Sequence, residues 1–166
     1  HFIYLDGTDV STFRYGKNSP LTANAKELRT KISKKEKRRV PPYGGAVGEE
    51  QLDWLAAELR KAGGSKKRVV IFNHFPAFPL RDGYNIWNDE ELVGLIAKNP
   101  HVVAYMNGHR HKGAYGVNEG CHYVNFKGMV ETMDKSAYAV VRCFADRLEI
   151  DGYETEPDRT WRFGGQ

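Results

Sequence analysis

Apolar residues fall along this chain in two periodicities, and the two alternate. Phe2 to Leu5, residues 68–73 and His101 to Met106 are short, mostly apolar runs; such runs read as strands, and the last two have the continuity of strands covered on both faces. Between them, Leu52, Leu55, Leu59 and Ala62 recur at helical spacing, with Glu49 and Glu50 at the start, Arg60 and Lys61 near the end and Gly63-Gly64 as a stop. A second helix is expected after Asn88, which is placed to cap it, with Leu92, Leu95 and Ile96 as its buried face and Asn99-Pro100 ending it. From Leu52 to Met106 the order is therefore helix, strand, helix, strand, which predicts an α/β layout with adjacent parallel strands. Beyond this point the period changes to short strands near 114–117, 122–126, 137–144 and 147–153, the last two joined at Ala145-Asp146, as antiparallel hairpins require.

One stretch fits neither pattern. From Leu21 to Val40 the only sizeable apolar residues past the first position are Leu28, Ile32 and Val40, while residues 26–39 carry eight Lys or Arg, and Pro41-Pro42 follows. The segment 17–43 is expected to be a basic surface insertion, either an exposed helix or a mobile arm. It holds most of the excess behind a formal net charge of +4, and such an arm attracts anionic partners over a distance. Its lack of interleaved aromatic residues weighs against nucleic acid, which single-strand binders usually stack on aromatic rings. The Tyr43 to Gly48 segment is glycine-rich, but no Lys-Ser or Lys-Thr follows, so it reads as a connector into a helix rather than a phosphate loop.

With 166 residues and 40% hydrophobic content the chain fits a single domain with a substantial core. No apolar run approaches the roughly 20 residues that span a bilayer. Cys121 and Cys143 stand in strand-like surroundings without CxxC spacing and are expected to be inert core thiols. The chain opens on His, inside a strand pattern, without Met. It is expected to be the C-terminal portion of a larger catalytic domain, whose compartment these residues do not disclose.

Chemistry concentrates at two strand ends. The 68–73 strand runs into Asn73-His74-Phe75-Pro76, and the 102–106 strand into Gly108-His109-Arg110-His111. Ligands in α/β sheets collect beyond the carboxyl ends of strands, and neutral imidazole is the commonest protein metal ligand. Two arrangements are open: one zinc held by His74, His109 and His111 with water in the fourth position, or the same three divided between two cations about 3.5–4 Å apart, which also demand carboxylates. Asn73 is expected to orient His74 as an outer-shell partner, and the turn at Phe75-Pro76 is a candidate cis peptide. His101 and His122 lack such companions and read as structural.

These residues carry a resemblance. Asn73-His74 and Gly108-His-Arg-His111 look like the last two motifs of the calcineurin-like metallophosphoesterases. Leu5 to Ser11, Gly48 to Leu55, Ile86 to Glu91, Gly108 to Tyr115 and Phe126 to Thr132 are together similar to the branch containing the ADP-ribose/CDP-alcohol diphosphatases and related bacterial phosphoesterases. The likeness covers about 1–11 and 44–154. It implies the C-terminal part of a four-layer α/β/β/α sandwich, a mixed sheet with antiparallel C-terminal strands, and a hydrolase with two divalent ions (Mn, Fe or Zn). By position, His74 and His109 would hold one ion and His111 the other, a metal-activated hydroxide would attack phosphorus, Arg110 would add positive charge, and Tyr115 would line the substrate cleft. The implied substrate is a small phosphoester or nucleoside-diphosphate-type molecule.

The family's earlier motifs, D-x-H, G-D-x-x-D and G-N-H-[D/E], occur nowhere in the sequence, and Asp6-Gly-Thr-Asp9 does not match their spacing. The carboxylate ligands are therefore expected on a missing N-terminal half, and this chain alone is expected to be inactive. The contrasting expectation is a non-catalytic fragment or binding module that uses residues 26–39 to hold an acidic partner.

Overall fold

The strand β5 (Val102–Asn107), buried at all six positions, is the axis of the molecule. In the computed structural model, which describes residues 1–163, it sits in the middle of a five-stranded sheet in the order β1 (Phe2–Tyr4), β4 (Val69–Phe72), β5, β7 (Cys121–Asn125), β6 (Ala114–Asn118). β1, β4, β5 and β7 are mutually parallel neighbours, and β6 returns antiparallel to β7. A second sheet, β10 (Arg159–Arg162), β9 (Arg147–Glu154), β8 (Ala137–Cys143), is antiparallel throughout.

Two cores meet on the two faces of the large sheet. On one face, α2 (Glu49–Gly64) and α3 (Asp89–Ala97) pack Leu55, Leu59, Leu92 and Ile96 against Ile3, Val69, Ile71, Val102 and Tyr105. On the other, Leu148, Ile150 and Trp161 of the small sheet cover Val70, Val103, Ala104, Met106 and Val124. The described residues thus form α, β and β layers, with the mixed sheet and antiparallel C-terminal strands that the sequence predicts. β5 reaches both cores by irregular alternation: the register shifts between Val69 and Val70, whose partners are Val102 and Ala104, so Val103 and Ala104 share one face while Val102 and Tyr105 share the other. This is the behaviour of a β-bulge. On β1, Ile3 is buried, while Phe2 and Tyr4 turn to the opposite face, pack on Phe72 and stay more than half exposed.

The basic segment is a docked helix, not a mobile arm. α1 (Pro20–Glu36) starts at Ser19, whose hydroxyl accepts from the Leu21 amide, and buries Ala25 and Ile32 against Val40, Ala46 and Trp87. Arg38 clamps its end by donating to the Trp87 carbonyl and to Asp89, a fully buried carboxylate that also accepts from Asn85 and from the Arg81 amide. Two short strands that the apolar pattern does not mark, β2 (Val10–Ser11) and β3 (Gly45–Ala46), pair under α1. The glycine-rich connector is tightly packed: a Cβ on Gly45 would lie 2.2 Å from the Gly7 carbonyl.

Other local expectations change for identifiable reasons. Asn88 occupies the N-cap position of α3 but makes no side-chain cap bond; its amide instead accepts from the Val47 N–H and donates to the Val47 carbonyl, tying α3 to the entry of α2. Cys121 is buried, whereas Cys143 lies near the exposed end of β8 and is not a core thiol. The cis peptide is at Phe78-Pro79, not at Phe75-Pro76. β10, in the tail outside the family likeness, supplies Trp161 to the second core.

Leu59 is fully buried in the first core. Leu59→Ala is expected to lower unfolding free energy by about 2–5 kcal/mol, measured by urea denaturation, with the surface change Lys34→Ala staying within about 0.5 kcal/mol.

Candidate metal centre

β4 and β5 are parallel neighbours, so the loops leaving their carboxyl ends start side by side. The two are bonded to each other: the Asn73 amide donates to the Met106 carbonyl at 3.1 Å, and the Gly108 amide to the His74 carbonyl at 3.2 Å. The turn bearing His74 is further held by the Tyr105 hydroxyl, which donates to the Phe75 carbonyl at 2.8 Å, and by Asn73 Oδ1, which accepts from the Phe75 amide at 3.2 Å. Asn73 therefore braces the backbone of the turn, and no bond from its side chain to the His74 ring is present. Its position is tight, since a Cβ on Gly7 would fall 2.3 Å from Asn73 Oδ1.

The loop after β5 rests on an amide pair that sequence reading does not single out. Asn107 Nδ2 donates to Asn125 Oδ1 at 2.7 Å and to the Gly108 carbonyl at 2.9 Å, while Asn125 Nδ2 donates to the carbonyls of Arg110 and Phe126 at 2.7 and 2.8 Å. Both residues are buried. Between these anchors His109 adopts φ +70°, a left-handed conformation uncommon for a residue with a Cβ and concentrated at functional sites. The signal available in the sequence was Asn at the last position of two strands that pair in register.

This backbone brings two of the three predicted imidazoles together. His74 Nε2 and His109 Nδ1 are 3.1 Å apart, with ring centroids at 5.0 Å. Burial lowers the pKa of each ring, and repulsion from the other histidines of the cluster adds to this. Both are thus held neutral, the form that ligates metal. Two nitrogens bound to one ion at about 2.0–2.2 Å would lie about 3–3.4 Å apart, so this pair fits a cation. His111 turns elsewhere: its Nδ1 meets Glu131 Oε1 at 2.8 Å. An ionised carboxylate only accepts, so Nδ1 of His111 carries a proton; the same bond lowers the Glu131 pKa despite some desolvation. Gly128 packs against that ring, where a Cβ would come within 3.0 Å. Among the described residues no group of three or more His, Cys, Asp or Glu side chains converges on one point, which disfavours a single zinc held by all three histidines.

The other predicted residues divide. Arg110 reaches the cleft, paired with Asp82 at 3.1 Å and lying over the Tyr84 ring. The cleft itself, about 690 Å³, is lined by Tyr84, His109, Arg110, His111, Lys127 and Glu131 among others. Tyr115 does not line it; its hydroxyl bonds His122 Nδ1 at 2.7 Å, and the His122 ring stacks on Trp161 at 4.3 Å. His101 is structural, bonding the Leu59 carbonyl at 2.8 Å. Asp6 is occupied by Thr8 and Arg14, and Asp9 accepts from the Gly48 amide and Gln51 at the start of α2.

No family model matches the chain. Curated relatives do: it is 33% identical over 165 residues to a manganese-dependent ADP-ribose/CDP-alcohol diphosphatase from Arabidopsis thaliana, covering 90% of this chain and 53% of that protein. It is 29% identical to the Bos taurus protein of the same name, covering 98% and 52%. The chain spans about half the length of the curated relatives it matches. A crystal structure of a dimetal phosphatase from Danio rerio superposes with a TM-score of 0.89 at 23% identity, covering 98% of this chain and 57% of that one, and so shares its fold. The likeness read from the motifs, to calcineurin-like phosphoesterases of the diphosphatase branch, is the one these comparisons return.

Two measurements test the loop geometry. Asn125→Ala removes the buried side-chain bond with Asn107 and those to the Arg110 and Phe126 carbonyls and is expected to cost about 1–3 kcal/mol in urea denaturation, with the His109 ring resonances moving by NMR. In chelated buffer, the depressed His74 and His109 pKa values mean that the unfolded chain takes up protons first as pH falls below about 6.5. Stability is full above that pH and declines below it, and the His74→Asn/His109→Asn double variant is expected to flatten this slope between pH 7.5 and 5.5.

Proposed function

We propose that this chain provides the imidazole side of the active centre of a metal-dependent phosphoester hydrolase of the calcineurin-like type. The observation that carries the reading is the His74–His109 pair, two neutral ring nitrogens 3.1 Å apart beyond the carboxyl ends of adjacent parallel strands. His74 and His109 would hold one divalent ion, and His111, with its tautomer set by Glu131, would offer Nε2 to a second. This division matches the allotment that the family resemblance implies. The names of the curated relatives favour manganese as the metal and a nucleoside-diphosphate-type substrate such as ADP-ribose or a CDP-alcohol. Bound divalent ions supply positive charge that polarises a phosphoryl oxygen and makes water acidic enough to attack at neutral pH.

The chain's own residues do the positioning. Arg110, fixed by Asp82, presents a guanidinium at the cleft beside His109 and His111, where it would stabilise charge developing on the phosphoryl oxygens. Lys127, which donates to the Thr155 carbonyl, lines the same cleft and adds to its positive potential. Asn73 and Tyr105 hold the His74 turn, and Asn107 and Asn125 hold the His109 loop. Two cations packed together demand negative ligands, and the acidic groups near the cleft, Asp82 and Glu131, are both engaged by their neighbours. The remaining carboxylates would come from a segment carrying the family's earlier motifs.

Manganese titration of the chain by calorimetry, compared with His74→Ala, tests the metal assignment. Loss of binding is expected; unchanged stoichiometry would remove His74 from the ligand set. Turnover of a chromogenic phosphodiester is expected only when the chain is mixed with a polypeptide bearing the earlier motifs and manganese, and absence of turnover in that mixture would count against the hydrolase reading.

A further inference from the structure

At the pole opposite the histidine cleft, the amino-terminal ends of β4 and β5 open onto a second concavity of about 490 Å³. Its size lies within the range of small-molecule sites. Lys66, Lys67, Arg68 and Arg162 contribute cations to its wall, and Trp161 and Phe163 contribute aromatic surface. No acidic side chain is among its lining residues as described.

The two lysines are placed by backbone rather than by partner charges. The Lys66 amide closes on the Gly63 carbonyl at 3.0 Å and the Lys67 amide on the Ala62 carbonyl at 2.9 Å, with Lys66 in the left-handed region at φ +50°. This geometry ends α2 and points the chain into β4. Among the described residues neither lysine forms an ion pair, although twelve such pairs occur elsewhere. Arg68 spans the rim, donating to the Ala145 carbonyl and lying 4.6 Å over the Phe163 ring. Lysines at a helix carboxyl end do complement the macrodipole, but that role requires neither a concave wall nor the arginines beside it, Arg68 just before β4 and Arg162 of β10. A cleft lined by one sign of charge concentrates counter-ions of the other.

We propose that this second concavity is a binding site for a phosphate-bearing organic anion of mononucleotide size, distinct from the histidine cleft. Lys66 and Lys67 engage the phosphate, Arg162 supplements them although Asp146 shares its charge, and the aromatic wall accepts the organic portion. The inference does not depend on the hydrolase reading, because none of its residues lies at the carboxyl ends of β4 and β5.

Titration of the full chain with adenosine monophosphate in chelated buffer, followed by NMR, tests it. The reporter is the Trp161 indole N–H, a buried donor with no partner among the described residues. Saturable displacement of that resonance is expected. Binding should weaken by about tenfold or more in Lys66→Gln/Lys67→Gln, as loss of charge-assisted contacts implies. It should be unchanged in Lys34→Gln/Lys35→Gln, which removes equal charge from α1, and unchanged in His74→Ala. A shift that never saturates, equal weakening by both lysine pairs, or displacement confined to resonances around His109 would each overturn the proposal.

Discussion

Everything at the carboxyl edge of the sheet depends on one buried contact, the side-chain amide pair between Asn107 and Asn125. Backbone pairing holds β5 and β7 together up to these residues, and the two amides carry the order beyond the last ladder bond into the loop. An amide suits this task because it donates and accepts at once. Asn125 takes the Asn107 N–H on its oxygen and spends its own N–H groups on the Arg110 and Phe126 carbonyls. The polypeptide between the anchors has almost no freedom left, which is how His109 is kept in a backbone conformation that a loose loop would leave. With the loop fixed, the imidazole at its tip can face a ring carried by a different strand.

The same edge explains why the fold needs two unlike cores. Parallel strands, buried on both faces, need both covered, and here α2 with α3 covers one face and β8 to β10 the other. β5 serves both because its bulge puts Val103 and Ala104 on the same side, and after that irregularity Tyr105 points back toward the helices. From there its hydroxyl reaches the Phe75 carbonyl and steadies the neighbouring loop. Core packing and site geometry are thus coupled through a single residue of the central strand.

Charge is distributed with equal economy. Beside the histidine cleft Arg110 pairs with Asp82, and His111 donates to Glu131. Among the described residues the lysines at the opposite pole and along α1 form no ion pairs, and the buried Arg38–Asp89 contact fastens α1 to α3. Imidazoles alone fit the soft requirements of one divalent ion but leave the charge of two uncompensated.

Local periodicity was sufficient for the strands and helices that make the large sheet, because residues such as Leu55, Leu59 and Ile71 advertise a buried face through spacing alone. It also placed His74, His109 and His111 at strand ends, and motif likeness named the family of phosphoesterases to which the comparisons point. What spacing lacks is direction. Asn88 looked like a cap and is instead a tie to Val47, Tyr115 looked like a cleft residue and belongs to the Trp161 cluster, and the basic segment read equally as an exposed helix or a mobile arm until Ala25, Ile32 and Arg38 were seen to dock it. The pairing of His74 with His109, the turning of His111 toward Glu131 and the work of Asn107 and Asn125 were settled only by tertiary structure. Each depends on which face a side chain takes when distant strands come into register, and a one-dimensional pattern does not contain that information.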